Sequence, residues 1–168
     1  FDSALNLSRN RIARWNQCYD IYDSAGNYLT SEARTLNDVR PLLTPELIVT
    51  QSLAWLSGRG DQAGLTARYV GESYLDNTQN ADTRLAGWFK LDFDGEFSLT
   101  RALSHGKGGH FDAALRLHGD NLLDHRNYAS GYSYPFLVQS SGTENATGTP
   151  YFYPQSGRSF FSALRLQY

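Results

Sequence analysis

The chain has 168 residues, 40% of them hydrophobic and 19% charged, with a net charge of -2, which suits one folded domain and excludes a disordered chain. Mean hydropathy is -0.48 and no apolar run approaches the roughly 18 residues of a membrane helix, so any crossing of a membrane falls to strands. A pI near 6.1 gives no basic field for nucleic acid, which is not expected as a partner. Aromatics reach 14%, with 11 Tyr against 3 Trp, and 15 Gly punctuate the sequence, a mix that favours strands and turns. With no Met and no signal peptide, the sequence reads as a mature or excised piece.

In chain order, Phe1 to Trp15 starts mid-pattern, with Phe1, Ser3, Leu5 and Leu7 facing one way and Asp2, Ala4, Asn6 and Ser8 the other. Asn16 to Arg40 reads as a long polar loop centred on Asp23-Ser24-Ala25-Gly26-Asn27. Leu47, Val49, Leu53 and Trp55 form the next apolar face, broken by Gln51. After a glycine-rich turn around Gly60, a third strand is expected from Leu65 to about Leu75. A polar loop, Asp76 to Arg84, separates it from the clearest alternation in the chain. There Leu85, Gly87, Phe89, Leu91, Phe93, Gly95, Phe97 and Leu99 alternate with Ala86, Trp88, Lys90, Asp92, Asp94, Glu96 and Ser98. A second glycine turn, His105 to Gly109, leads to a fifth strand, with Phe111, Ala113, Leu115 and Leu117 set against His110, Asp112, Ala114, Arg116, His118 and Asp120. A last long loop spans about Ala129 to Pro150. The closing strand, Ser159 to Tyr168, carries Phe160, Ser162, Leu164, Leu166 and Tyr168 on one face.

Long connections (Asn16 to Arg40, Asp76 to Arg84, Ala129 to Pro150) alternate with short ones, as in outer-membrane barrels. Trp15, Tyr74, Trp88, Tyr128, Tyr132, Tyr134, Tyr151, Phe152 and Tyr153 fall beside the long connections, while Phe1, Trp55, Phe97, Phe111 and Tyr168 fall at the other strand ends. Two bands of rings separated by about 9 to 11 residues match an apolar belt with interfacial girdles. The fold expected is all-β: an antiparallel transmembrane β-barrel segment of about six strands with long extracellular loops. An antiparallel sandwich with one solvated face also alternates and remains open. Six strands are fewer than the roughly eight of the smallest single-chain membrane barrels, so residues 1–168 are expected to be the C-terminal part of a larger barrel. Lys90, Asp92, Asp94, Glu96, Asp112, Arg116, His118 and Asp120 would face its polar lumen.

From about Leu43 onward the sequence resembles the C-terminal barrel region of TonB-dependent outer-membrane receptors. The resemblance is carried by Leu43-Thr44-Pro45, by Arg68 to Thr78, and by Gly119-Asp120-Asn121-Leu122-Leu123-Asp124 followed by Tyr128. Tyr153-Pro154 and Gly157-Arg158 complete it before the last strand. Leu123 stands where Phe is commoner in the family. The end of the chain, with Leu164, Leu166 and Tyr168, looks like the signal read by the barrel-assembly machinery, with Ala163 where Gly is usual.

That resemblance implies a receptor in the outer membrane of a Gram-negative bacterium, binding a scarce nutrient, most often a ferric siderophore, and importing it with energy passed through TonB. About 22 strands would surround a plug domain, and neither the plug nor the earlier strands lie in this sequence. The implied partners are outer-membrane lipid, TonB through that plug, the assembly machinery and a small-molecule ligand. Tyr128, Tyr132, Tyr134, Tyr151 and Tyr153 are the rim residues expected to meet the ligand, since rings on outer connections offer area and hydrogen bonds, although they would equally anchor the membrane interface.

No cofactor and no metal site is expected, because His105 and His110 lack a third ligand. Catalysis is not expected either: His118 beside Asp120 is the best general-base candidate, yet no serine is placed to act with it. Cys18 has no partner in the chain, and Asn145-Ala146-Thr147 matches a glycosylation sequon that reads as loop composition. Two other classes stay open: a soluble or secreted β-domain that binds a ligand or partner, and an outer-membrane barrel hydrolase.

Overall fold

A computed structural model describes residues 1–58, 60–100, 112–140 and 143–167 of the chain. Among these, the strands are β1 (Asp2–Leu7), β2 (Ile12–Asp23), β3 (Tyr28–Val39), β4 (Leu47–Leu56), β5 (Gln62–Val70), β6 (Ser73–Tyr74), β7 (Arg84–Leu85), β8 (Trp88–Ser98), β9 (Asp112–Asp120), β10 (Tyr128–Ser140), β11 (Thr143–Pro154) and β12 (Ser159–Gln167). The protein is all-β, as the alternation indicates. Its large sheet has six antiparallel strands in the order β1-β4-β5-β8-β9-β12, and its small sheet has four in the order β11-β10-β2-β3. The large sheet is open, with β1 and β12 as its edges.

The large sheet follows from period-2 patterning in every strand. Its register aligns Leu5 with Val49, Val49 with Tyr69 and Tyr69 with Phe89; further down, Leu53 aligns with Leu65, Leu65 with Phe93, and Phe93 with Gly119. Phe97, Leu115 and Leu164 form a corresponding row. Because a one-residue slip would reverse every side chain, this row-by-row agreement fixes one apolar face and one polar face. Gly95 lies between Phe93 and Phe97, whose rings occupy the space its Cβ would take, at 2.9 and 2.8 Å.

Three expectations about connections are corrected. Asn16 to Arg40 is a hairpin, not a loop: β2 and β3, twelve residues each, turn at Asp23, whose carboxylate accepts from the backbone N–H groups of Ala25 and Asn27. Ala129 to Pro150 is likewise a hairpin, β10 and β11, so the count of six strands holds only for the large sheet. The third expected strand ends at Val70, and residues 71–87 hold β6, a short 3-10 turn (Ala81–Thr83) and β7 rather than an open loop. In that connection Ser73, Leu75, Asp76, Asn77, Thr83 and Leu85 are buried. Phe1 to Trp15 divides into the end of β1 at Leu7 and the start of β2 at Ile12. One ladder is parallel, β2 on β10, with Ile21 opposite Leu137.

Tyr19, Ile21 and Leu137 form the core of the small sheet. Residues 8–46, 71–87 and 121–158 all leave the same end of the large sheet's strands, as the antiparallel order requires. The first two are tied together there: Leu43 N donates to the Tyr74 carbonyl at 2.8 Å, and Leu42 N to Asn77 Oδ1 at 2.9 Å. At the opposite end the short turn after β4 is closed by Ser57 N donating to the Asp61 carbonyl. The expected turn His105 to Gly109, together with Phe111 and Tyr168, lies outside the described residues.

Candidate functional site

The polar face of the large sheet gathers the charged residues that the alternation singled out. Lys90 Nζ donates to Asp120 Oδ1 and lies 3.2 Å from Asp92, whose other oxygen accepts from Asn121 N at 2.8 Å. Arg116 Nε donates to Glu96 at 2.9 Å, and Arg165 reaches Glu96 and Asp112 at 3.5 Å each. His118 Nδ1 lies 2.7 Å from Asp94 Oδ1, and its ring faces that of Phe161. Asp120 is therefore engaged by Lys90, not by His118, and the two do not form the general-base pair considered from sequence. An open concavity of about 570 Å³ lies over this face, lined by Gln62, Asp94, Glu96, Arg116, His118 and Phe161 among others. Paired charges of both signs on adjacent strands make this face a hydrated, nearly balanced surface.

On the apolar face, Leu5, Leu7, Leu53, Trp55, Leu65, Tyr69, Phe89, Phe160, Leu164 and Leu166 remain 38% to 72% exposed. Full burial of one such side chain contributes about 1.5–3 kcal/mol, so ten left half-exposed forgo on the order of 10 kcal/mol, comparable with the ~5–15 kcal/mol net stability of a domain. Leu164 and Leu166, expected in the assembly signal, are among them.

Four of the five expected rim tyrosines come together on β10 and β11. Tyr132 stacks on Tyr151 with centroids 4.9 Å apart and planes 18° apart, and meets Tyr134 at 5.5 Å and Tyr153 at 5.9 Å. Burial, and then the neighbouring phenols of Tyr153, Tyr151 and Tyr134, push the Tyr132 phenol above its usual value. Tyr128 departs from the group: a register shift between Tyr128 and Ser130 leaves it against Phe152 at 5.3 Å. Sequence reasoning missed Tyr22, Tyr28 and Phe136, which continue the ring cluster on the same face; Tyr22 meets Phe136 at 5.8 Å and Tyr28 at 5.9 Å. The repeated Tyr-x-Tyr spacing at 132/134 and 151/153 was the available signal, since i and i+2 share a face only in a strand.

Two knots hold these surfaces in place. Asn121, buried and at φ 51°, donates to the carbonyls of His125 and Ser156 and accepts from His125 N, while Asp124 accepts from Arg158 N at 2.9 Å. The Asn-Leu-Leu-Asp element thus pins the end of β9 to the start of β12. At the base of β2 and β3, Arg11 donates to Glu46 at 2.7 Å, and Arg40 reaches both Glu46 and Glu72. The hydrogen bond from Arg11, reinforced by Arg40, holds the Glu46 carboxyl below its usual value. Beneath the small sheet, burial and then the Asp76 charge raise the Tyr19 phenol, against the lowering effect of Arg34.

No protein-family model matches the chain, and no curated protein matches it.

Proposed function

We propose that the chain is the C-terminal wall of an outer-membrane transport receptor of the TonB-dependent type, with residues 8–46, 71–87 and 121–158 on the outer side. The observation that carries this reading is the uncovered apolar face of the large sheet. A soluble sandwich would lay its second sheet over that face, whereas here the small sheet has its own core at Tyr19, Ile21 and Leu137. Lipid on one side and a polar lumen on the other would satisfy both faces at once. The free edges β1 and β12 fit a wall that continues into further strands, and the long connections leaving one shared end of the strands fit the one-sided loops of such barrels. In this reading the chain contributes wall, lumen charge and part of a ligand-binding rim, while a plug and TonB supply transport. A ferric siderophore is the ligand that the sequence resemblance implies.

Quenching of Trp55 by lipids brominated on the acyl chain tests the reading. Single-tryptophan variants reconstituted in vesicles should show strong quenching at Trp55, on the apolar face, and weak quenching at Trp15, on β2. A cooperative, detergent-free soluble monomer would refute the membrane assignment.

A further inference from the structure

The rings on the small sheet form a continuous strip on one face of all four strands. Tyr153 and Tyr151 lie on β11, Tyr132, Tyr134 and Phe136 on β10, Tyr22 on β2 and Tyr28 on β3; Tyr132 meets Tyr151, Tyr153 and Tyr134, and Tyr22 meets Phe136 and Tyr28, at 4.9 to 5.9 Å, while Tyr134 and Phe136 are two residues apart on one strand. With strands about 4.8 Å apart and a rise of about 3.3 Å per residue, the strip is roughly 20 Å long. Tyr28, Tyr134, Tyr151 and Tyr153 are each more than half exposed. The register places Asp20 opposite Phe136 on this same face, where it accepts from Ser31 Oγ at 2.6 Å, with Tyr28 Oη 2.9 Å from that hydroxyl.

Charge decides what such a strip accepts. Among the described residues the strip includes one carboxylate, Asp20, and no Lys or Arg. The next cation along that face of β2 is Arg14, six residues away or about 20 Å. Arg34 lies over the Tyr19 ring, on the opposite face. Ferric catecholates and similar iron complexes are polyanions and need Arg or Lys to offset their charge. A sugar chain needs the reverse: flat apolar surfaces for the C–H faces of its rings, together with phenol and carboxylate oxygens for its hydroxyls. The strip lies on the small sheet, whose four strands belong to residues 8–46 and 121–158, whereas the apolar face belongs to the six strands of the large sheet.

We propose that this strip binds an uncharged glycan chain, its sugar units stacking along Tyr153, Tyr151, Tyr132, Tyr134, Phe136, Tyr22 and Tyr28. The inference rests on the outer-side placement proposed above and departs from the iron complex that the sequence resemblance implies. Isothermal titration of the detergent-solubilised chain with maltohexaose, cellohexaose and xylohexaose tests it. A ferric tricatecholate and an alginate hexamer serve as polyanions, and neutral O-polysaccharide released from lipopolysaccharide represents a surface source. At least one neutral glycan should bind; a hexasaccharide points to a nutrient, and O-polysaccharide alone points to the cell's own surface. Tyr132→Ala combined with Tyr151→Ala should weaken binding at least about tenfold, while Tyr132→Phe retains most of it and Ser24→Ala changes nothing. Tyr134→Ala, at an exposed ring, keeps the comparison if the double variant loses its hairpin. Binding of polyanions alone, or no glycan binding by a chain with intact strand dichroism, overturns the inference. Trp55 quenching would be untouched by that result, so the membrane reading is judged separately.

Discussion

The two sheets leave opposite kinds of face uncovered. In the large sheet most of the large apolar side chains of β1, β4, β5, β8, β9 and β12 turn to one uncovered face, with Leu56, Trp88 and Phe161 among the exceptions on the other, where the charges are tied into pairs. In the small sheet the apolar residues turn inward to a core of three side chains and the uncovered face is a band of phenols. One sheet leaves large apolar side chains uncovered; the other buries a small apolar core and leaves rings and hydroxyls uncovered. The change from one pattern to the other falls near Leu7, Leu47, Val70, Trp88, Asp120 and Ser159, where the large sheet's strands meet the long connections.

The sharpest way to break the contrast is a charge on the uncovered apolar face. Leu164→Arg should destabilise the protein in lipid by about 2–4 kcal/mol if that position lies near the midplane, read as a shift of the urea midpoint in vesicles. Ala163→Ser, its neighbour on the polar face, should leave the midpoint in place. On the small sheet, a Cβ at Gly131 would run into the Tyr151 carbonyl and press on Leu75. Gly131→Ala should therefore cost about 1–3 kcal/mol and expose residues 128–154 to protease while the large sheet remains protected. Asn121→Ala separates the sheets in a third way. It removes the buried amide that bonds the His125 and Ser156 carbonyls and a side chain suited to positive φ, so a loss of about 1–2 kcal/mol is expected in the same denaturation experiment.

The smallest effect is electrostatic. Because the folded state depresses the Glu46 carboxyl below its ordinary 4.5, the contribution of its contacts to Arg11 and Arg40 is present above that pH and fades as pH falls through the depressed value. Acidification from pH 6 to pH 3 should loosen the base of β2 and β3, seen as lower amide protection factors at Arg11 and Arg40 once the intrinsic exchange rate at each pH is divided out. Glu46→Gln should flatten that response.

The large sheet was legible because each of its strands turns apolar side chains to one face and mostly polar ones to the other, which writes period 2 into residues such as Phe89 to Phe97 and Leu115 to His118. Its polar residues were identified together for the same reason, and the structure places Lys90, Asp92, Asp94, Glu96, Asp112, Arg116, His118 and Asp120 on one face. The two hairpins were not legible. Beyond Tyr19 and Ile21, β2 and β3 carry polar side chains on both faces, Asn16 and Thr35 on one and Gln17 and Arg34 on the other, so hydrophobic period gives no sign of a strand. Tyr22, Tyr28 and Phe136 joined the ring strip only through pairing between segments more than a hundred positions apart, which local pattern does not encode. Which carboxylate holds His118 was equally a matter of cross-strand register, since Asp94 and Asp120 lie at the same parity.

The parallel ladder between β2 and β10 has a consequence for how the chain acquires its structure. Ile21 meets Leu137 across 116 positions of sequence, and β10 also separates β2 from β11. Until residues 128–140 emerge during synthesis, β2 has a bare edge and the phenols of Tyr22 and Tyr28 have no neighbour on that side. Closing so long a loop is slow relative to forming either hairpin, so an early intermediate would expose an unpaired strand to other copies of itself. Refolding at rising protein concentration should accordingly divert chains into aggregates nucleated at β2, and a short peptide copying residues 134–140 should suppress that loss by occupying the edge first.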